Sequence, residues 1–262
     1  MGELVTVRVC EGISRGFAVD ARARVAAAVS GADALVEQLR VRVGTVGPAG
    51  VLAQVNAEVD GRRVRVQEAA ADLGEALDKV VDGLRSRMAA VASGWAPRPW
   101  PRRTRAHGLP AAPAPAAPVA RVRAERPRAE LPRTAGPQDI VRRKQAHLVW
   151  CSPDAAALTM DAMDYDIHLF TDPATETDAV VYRVGPTGYR LARTTAAGPP
   201  ARTVAPLTLS PCGAPELTED QAVRRLAAAE LPYLFFAQPG SRRGRVLYRR
   251  FDGRLGLIAA AT

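Results

Sequence analysis

Cysteine, lysine, aromatic residues and long apolar runs are all scarce in this chain of 262 residues. Cys10, Cys151 and Cys212 stand alone without CxxC spacing, so neither a disulfide framework nor a zinc site is predicted. We expect these cysteines to be small buried hydrophobic residues. The chain starts without the apolar core of a signal peptide, and no run of about 18 apolar residues occurs anywhere. A cytoplasmic protein with no membrane partner is predicted.

A catalytic centre is also absent from the sequence. An enzyme would require a nucleophile beside a base, or a cluster of metal ligands. The three histidines, His107, His147 and His168, have neither acidic partners nor ligand spacing. We therefore predict a protein that is not an enzyme and has no catalytic residue, no metal and no cofactor.

Positive charge is abundant, but it is confined to the middle of the chain. The net charge is +9, and residues 94–147 carry it all, with twelve basic against three acidic residues. Within this stretch, residues 94–136 are rich in Pro, Ala and Arg, and proline recurs too often for a helix or a sheet. A disordered basic linker is therefore predicted between an N-terminal domain, residues 1–93, and a C-terminal region. The linker is either a solvated spacer or an arm for polyanions, in which case Arg98, Arg102, Arg103 and Arg105 would contact RNA.

The N-terminal domain has the pattern of an α+β fold. Four segments alternate apolar and polar residues with the period of two that is typical of half-buried strands. Helical spacing follows the first and the fourth of these segments, so the predicted order is β-α-β-β-β-α. Asp60 and Gly61 form the Asp-Gly pair that predicts a tight hairpin between the third and fourth strands.

Arginines share the sheet face that is predicted to point away from the helices. If the valines face the helices, the pleat places Arg8, Arg40, Arg42, Arg63 and Arg65 on the other face. Arginine on a solvated strand commonly serves solubility. Acidic residues concentrate on the second helix, however, so a polarised domain is predicted, with one side suited to phosphate.

Several motifs resemble those of the long-form bacterial ribosome hibernation-promoting factors. The closing helix of the N-terminal domain, ADLGEALDKVVDGLRSRM, fits the family pattern of spaced Asp, Ala, Leu and Val. IVRRKQAHLVW, MDAMDYDIHLFTD and AVVYRVGPTGYRL fit the C-terminal pattern. Only two of the 36 basic residues are lysines, a composition typical of G+C-rich bacterial genomes. We expect an actinobacterial type that acts in stress or dormancy.

This resemblance implies a function without chemistry. Family members occupy the decoding groove of the small ribosomal subunit, block the mRNA and tRNA sites, inhibit translation and preserve idle 70S ribosomes. The implied partner is 16S rRNA. The first helix has fewer basic residues than is usual in the family. The candidate rRNA-binding residues are Arg8, Arg15, Arg22, Arg24, Arg40, Arg42, Arg62, Arg63, Arg65, Lys79, Arg85 and Arg87.

The C-terminal region is duplicated. Placing Ser152 against Thr218, an offset of 66 residues, aligns the region with itself without gaps as far as Ala192 and Ile258. Two tandem small α/β domains are predicted, a first copy at residues 137–199 and a second copy at residues 200–262. Ser152 and Thr218 are predicted N-caps. Residues 148–199 carry a net charge of −4 and residues 200–262 a net charge of +4, which favours pairing of unlike copies.

Ordinary long-form members have one copy, and two such domains from separate chains join two ribosomes. Here we expect the two copies to pair within one chain, so that 70S ribosomes are inactivated singly and 100S dimers do not form. The candidate pairing residues are Ile167, Leu169, Phe170, Tyr182, Tyr233, Phe235, Phe236 and Tyr248. The alternative function is a stress-linked regulator that binds nucleic acid or protein away from the ribosome.

Overall fold

The computed structural model describes residues 5–10, 12–32, 34–46, 50–92, 139–184, 188–200, 203–250 and 252–261. The N-terminal elements are β1 (Val5–Val9), α1 (Arg15–Val29), β2 (Val36–Val46), β3 (Gly50–Val59), β4 (Arg62–Ala70) and α2 (Leu73–Ala92). The elements of the first copy are β5 (Ile140–Ala146), α3 (Pro153–Ala162), β6 (Ile167–Asp172), β7 (Thr177–Val184) and β8 (Gly188–Arg193). Those of the second copy are β9 (Leu207–Leu209), α4 (Glu219–Ala228), β10 (Tyr233–Ala237), β11 (Gly244–Arg249) and β12 (Leu255–Ala260). The predicted α+β class is confirmed, and the predicted linker lies outside the described residues.

The N-terminal part is one four-stranded sheet with the order β1-β2-β3-β4, covered on one face by α1 and α2. β1 and β2 are parallel and joined through α1, whereas β2, β3 and β4 are antiparallel neighbours. The buried cluster alternates along the strands, as in Leu39, Val41 and Val43 of β2. Asp60 and Gly61 both have positive φ, 49° and 68°, which is the geometry of the predicted tight hairpin.

The two C-terminal copies have the same internal geometry. Ile167 pairs with Tyr182 across β6 and β7, and Tyr233 pairs with Tyr248 across β10 and β11, each position shifted by the same 66 residues. Ser152 and Thr218 are the N-caps of α3 and α4, as predicted, and accept from the backbone N–H groups of Ala155 and Gln221. Residues that the sequence repeat aligns therefore have the same strand partners and the same helix caps in the two copies.

The first strand of each copy joins the sheet of the other copy. β5 of the first copy lies parallel to β12, and β9 of the second copy lies parallel to β8. The sheets are β10-β11-β12-β5 and β6-β7-β8-β9. The register repeats here as well, since Leu257 pairs with Arg143 and Leu191 pairs with Leu209. Strand pairing thus crosses the predicted boundary between residues 199 and 200, which the sequence repeat did not indicate.

The C-terminal part has four layers. α3 packs on the outer face of one sheet and α4 on the outer face of the other, each with its own buried cluster. A third buried cluster lies between the inner faces of the two sheets and draws on both copies. Of the candidate pairing residues, Ile167, Leu169, Tyr182, Tyr233 and Phe235 lie in that cluster. Because side chains alternate across a sheet, Phe170 and Phe236 point outward and pack against α3 and α4. Tyr248 is half-buried.

The prediction of buried cysteines is wrong for two of the three. Cys10 and Cys212 are exposed, and Cys151 is half-buried. Each of the exposed two lies in a connecting segment just outside a regular element, where periodic patterns give no information about burial. Among the described residues, no helix is long and apolar enough to cross a membrane.

One buried titratable group generates a prediction about stability. His168 lies between the rings of Tyr165 and Phe170, and burial lowers its pKa from 6.5 to about 4. The unfolded chain therefore binds a proton at a higher pH than the folded protein does. Stability that is present above pH 6.5 should be lost as the pH falls towards 4, by up to about 3 kcal/mol.

His168→Leu tests this prediction, because Leu234 occupies the corresponding position of the second copy. Urea unfolding at pH 7 and at pH 4.5 should show a smaller loss of stability in the variant than in the unmodified protein. Equal losses in the two proteins would show that His168 does not titrate as described.

Candidate nucleic-acid interface

The N-terminal sheet presents an open face on which arginines are neighbours across strands. Arg8 lies beside Arg42, and Arg42 lies opposite Gln54. Arg40 lies beside Asn56, which in turn pairs with Arg65. We call Arg8, Arg40, Arg42, Arg63 and Arg65 the arginine face. The pleat explains it, since these positions alternate with the buried positions of the core.

Four of these side chains have no anionic partner among the residues that the structure describes. Arg8, Arg40, Arg42 and Arg63 are exposed, and none of them forms an ion pair or side-chain hydrogen bond with any other described residue. Like charges that face each other across strands destabilise a sheet, so the neighbours Arg8 and Arg42 favour a bound anion. We call these four residues the open arginines.

The basic residues of the helices are in a different situation. Arg24 pairs with Asp78, Lys79 lies 2.6 Å from Glu75, and Arg85 lies 3.5 Å from Asp82. Their charges are neutralised on the side of the sheet that is opposite to the arginine face. Arg15 and Arg62 are exposed, and Arg22 is half-buried. The predicted rRNA-binding residues are thus divided by the sheet, and among the described residues the cations of Arg24, Lys79 and Arg85 on the helix side are paired with acids.

The arginine face is concave. The open arginines line a depression of about 840 Å³, together with Gln38, Gln54, Asn56 and Glu58. Met163 of the first copy also borders it. Glu58, which lies opposite Arg63, is the one acid among these lining residues. A concave surface with four arginines and several amides can follow a phosphate backbone without reading bases.

A loop of the first copy contacts one end of this face, and we call Met163, Asp164 and Tyr165 the docking loop. One Asp164 carboxylate oxygen lies 2.6 Å from a guanidinium nitrogen of Arg87, and the other accepts from the backbone N–H of Gln67 at 3.2 Å. The Asp164 side chain is only 1% exposed. Tyr165 lies under the guanidinium of Arg65, 5.8 Å from it to the ring centroid. Two of the predicted rRNA-binding residues are therefore already engaged by the C-terminal part.

Beyond the docking loop, basic residues of β5 extend the charged surface. Arg142 and Lys144 line a cavity of about 440 Å³ together with Arg65. Partial burial lowers the pKa of Lys144, and the nearby charges of Arg142 and Arg65 lower it further. The candidate set did not include Arg142 and Lys144, although both belong to the C-terminal motif IVRRK. Nothing in the sequence places β5 close to Arg65. Arg98, Arg102, Arg103 and Arg105 lie outside the described residues.

In the part of the chain that the structure describes, no group of three His, Cys, Asp or Glu side chains is placed to hold a metal ion. His147 is exposed, and His168 is enclosed by aromatic rings.

Comparison with known proteins identifies the family. The family described as Sigma 54 modulation/S30EA ribosomal protein C terminus matches residues 135–191. The dormancy associated translation inhibitor of Mycobacterium tuberculosis, found in two strains, is 35% identical over 233 residues, which cover 84% of this chain and 75% of the relative. The chain belongs to the long-form ribosome hibernation-promoting factors. The names of the matched family and of the relatives describe a ribosomal protein and a translation inhibitor, and none of them describes an enzyme.

A solved structure is also similar to part of this hibernation-promoting factor. The N-terminal domain of Protein Y from Thermus thermophilus has 20% sequence identity, a TM-score of 0.29, and coverage of 33% of this chain and 96% of that one. The C-terminal family match spans the first copy from before β5 to within β8. The matched residues therefore include a strand, β5, that completes the sheet of the other copy.

The docking loop of this hibernation-promoting factor leads to a prediction about hydrogen exchange. The N–H of Gln67 belongs to the edge strand β4 and donates to Asp164. Asp164→Ala should accelerate exchange of the Gln67 amide at least about tenfold, which corresponds to about 1.4 kcal/mol of lost protection. Exchange is measured by NMR on the full chain.

Glu230→Ala is the matched control. Glu230 occupies the same turn of the second copy, with φ of 49° against 53° at Asp164. It should leave the exchange of Gln67 unchanged. Equal exchange in all three proteins would show that the docking loop does not hold β4.

Proposed function

We propose that this hibernation-promoting factor binds 16S rRNA in the decoding groove of the small subunit within 70S ribosomes. It thereby blocks the mRNA and tRNA sites, inhibits translation and preserves idle ribosomes under stress. Its place of action would be the cytoplasm, where ribosomes are. The observation that carries the proposal is the set of open arginines, which have no acidic partner among the described residues and lie on a concave sheet face, whereas Arg24, Lys79 and Arg85 of the helices are paired.

Phosphate contacts would supply the binding energy. Structured RNA hides the base edges, so a protein recognises it mainly through shape and the sugar-phosphate backbone. A phosphate near Arg8 and Arg42 would relieve the repulsion between these two cross-strand neighbours. Gln54 and Asn56 lie between the arginines and can donate to phosphate or 2′-hydroxyl oxygens. Nothing in this arrangement requires a reaction.

The other predicted regions complete the proposal. Residues 1–93 would form the ribosome-binding domain and residues 94–136 a basic linker. Arg98, Arg102, Arg103 and Arg105 would add phosphate contacts where the linker passes along rRNA. The two copies at residues 137–199 and 200–262 would follow as one paired unit.

Pairing of the two copies within one chain would keep ribosomes single. The connection between the copies is short, so the effective concentration of one copy near the other is on the order of millimolar. Their opposite net charges, −4 for residues 148–199 and +4 for residues 200–262, favour the unlike pair. A face that is buried between two copies of the same chain cannot join two ribosomes. We therefore propose that 100S dimers do not form.

Reversing the charge of the open arginines tests ribosome binding. Changing all four to Glu removes phosphate partners and adds repulsion, so affinity for 70S ribosomes should fall by several kcal/mol, at least about a hundredfold. Cosedimentation with 70S particles at physiological salt measures the loss. The matched control has the same change in charge on the second copy, with Glu in place of Arg224, Arg225, Arg242 and Arg254.

The control variant should sediment with ribosomes like the unmodified protein. If the fourfold variant of the open arginines also pelleted normally, the arginine face would not be the ribosome-binding surface. If the unmodified protein stayed at the top of the gradient, a regulator that acts away from the ribosome would be favoured instead.

Oligomeric state is the second test of the proposal. Light scattering of the full chain should give the mass of one chain, about 28 kDa. Sucrose gradients of ribosomes with excess protein should show a 70S peak without a 100S peak. A long-form relative with one C-terminal copy serves as the positive control for 100S formation. A stable dimer of the full chain together with a 100S peak would contradict the proposal.

A further inference from the structure

Two corresponding positions of the two copies meet at the centre of their interface. A Cβ atom added to Gly244 would lie 2.8 Å from the Cβ of Asp178. Asp178 and Gly244 are separated by the repeat offset of 66 residues, so they are each other's counterparts. In a two-fold arrangement, a residue touches its own counterpart only near the axis. Leu169 and Phe235, which also lie close to Gly244, are a second pair of counterparts. This contact therefore marks the pseudo-two-fold axis.

The contact is chemically one-sided. One carboxylate oxygen of Asp178 accepts from the backbone N–H of Gly244 and from Nε of Arg243, both at 2.8 Å. The other carboxylate oxygen accepts from the hydroxyl of Thr171 at 3.3 Å. The Asp178 side chain is 6% exposed, so these donors replace the water that the carboxylate has lost.

Each participant has an unlike counterpart in the other copy. Thr171 corresponds to Ala237, and Arg243 corresponds to Thr177. The buried carboxylate and its supporting hydroxyl thus occur only in the first copy. The cation, and the glycine that leaves room for the carboxylate, occur only in the second copy.

Two first copies would fit each other poorly at this position. The axis would bring Asp178 against a second Asp178, and Thr177 would stand where Arg243 supplies the positive charge. Two carboxylates in one buried site cannot both remain ionised without a large cost. The second side chain would also occupy the space that Gly244 leaves empty.

Two second copies would fail for the opposite reason. Gly244 would face Gly244 and leave a void in place of the carboxylate, while the Arg243 side chains would lose their anion. Specificity of this kind comes from the penalty on the wrong pair as much as from the contacts of the right one.

We propose that Asp178 and Gly244, with Thr171 and Arg243, form a heterotypic lock. Through it a first copy pairs with a second copy and rejects another first copy. The partner that fits the inner face of each copy is therefore the unlike copy, and the short connection makes this the unlike copy of the same chain. This inference rests on the intrachain pairing in the proposed function and identifies the side chains that enforce it.

Moving the lock from one copy to the other tests the proposal in the full chain. Gly244→Asp alone places a second carboxylate against Asp178 and should lower the Tm of the C-terminal part by at least 5 °C, or about 1 kcal/mol or more. Gly198→Asp is the control, because an added Cβ at Gly198 meets no atom within 4 Å. The rescue variant combines Gly244→Asp with Thr177→Arg, Asp178→Gly and Arg243→Thr.

The rescue variant should recover at least half of the decrease in Tm that Gly244→Asp causes. In it the carboxylate belongs to the second copy and the cation to the first, so the two charges still face each other. Because Gly244→Asp places a carboxylate at this position in both copies, no pairing between chains relieves the repulsion, and light scattering should give one-chain mass for all of these variants. A rescue variant that is less stable than Gly244→Asp would overturn the lock.

Milder variants keep the proposal testable if Gly244→Asp does not fold. Asp178→Asn keeps the shape of the side chain and removes its charge, so Asp178→Asn and Arg243→Ala should each lower the Tm. Together they should lower it by clearly less than the sum. Additive losses would overturn the lock. A dimeric full chain with strong coupling would instead contradict intrachain pairing and leave the lock intact, so the two failures are distinguishable.

Discussion

Each of the two C-terminal sheets contains a strand from the other copy, and the rest of the C-terminal part depends on this exchange. β5 lies beside β12, and β9 lies beside β8. A strand at the edge of a sheet leaves a row of N–H and C=O groups unpaired, and the exchange satisfies one such row in each copy. With both exchanges made, the inner faces lie against each other and bury Leu169, Tyr182 and Phe235. The layered unit therefore needs both copies.

The exchange also positions the C-terminal part for contact with the N-terminal sheet. It places Arg142 and Lys144 of β5 on the lining of the same cavity as Arg65. α3 ends in the docking loop, whose Asp164 reaches Arg87 and the edge of β4. In this arrangement the open arginines remain accessible, while Arg65 and Arg87 are held by the protein itself. The basic residues of this region therefore divide into exposed arginines and arginines that are engaged by the docking loop.

Opposite charges have different roles in the two parts of the molecule. In the N-terminal part, acids pair with Arg24, Lys79 and Arg85 of the helices. The open arginines of the sheet have no such partner among the described residues, so positive charge is concentrated on the sheet face. In the C-terminal part, ion pairs link the copies, as between Asp178 and Arg243 and between Glu219 of α4 and Arg143 of β5. Exposed cations are suited to an external polyanion, whereas ion pairs between the copies favour the pairing of surfaces with opposite charge.

Local patterns in the sequence determined much of this protein. The period of two in the strands, the Asp-Gly turn and the caps Ser152 and Thr218 depend on neighbouring residues alone, and each is found in the structure. The arginine face follows from the same pleat, and the repeat of 66 residues follows from identity at fixed spacing. Which sheet each first strand joins was decided only by the tertiary structure, because strand pairing between distant segments leaves no periodic signal. The partners of Arg65, Arg87 and Asp178 were decided in the same way, since a side chain's neighbours across an interface depend on how whole layers pack.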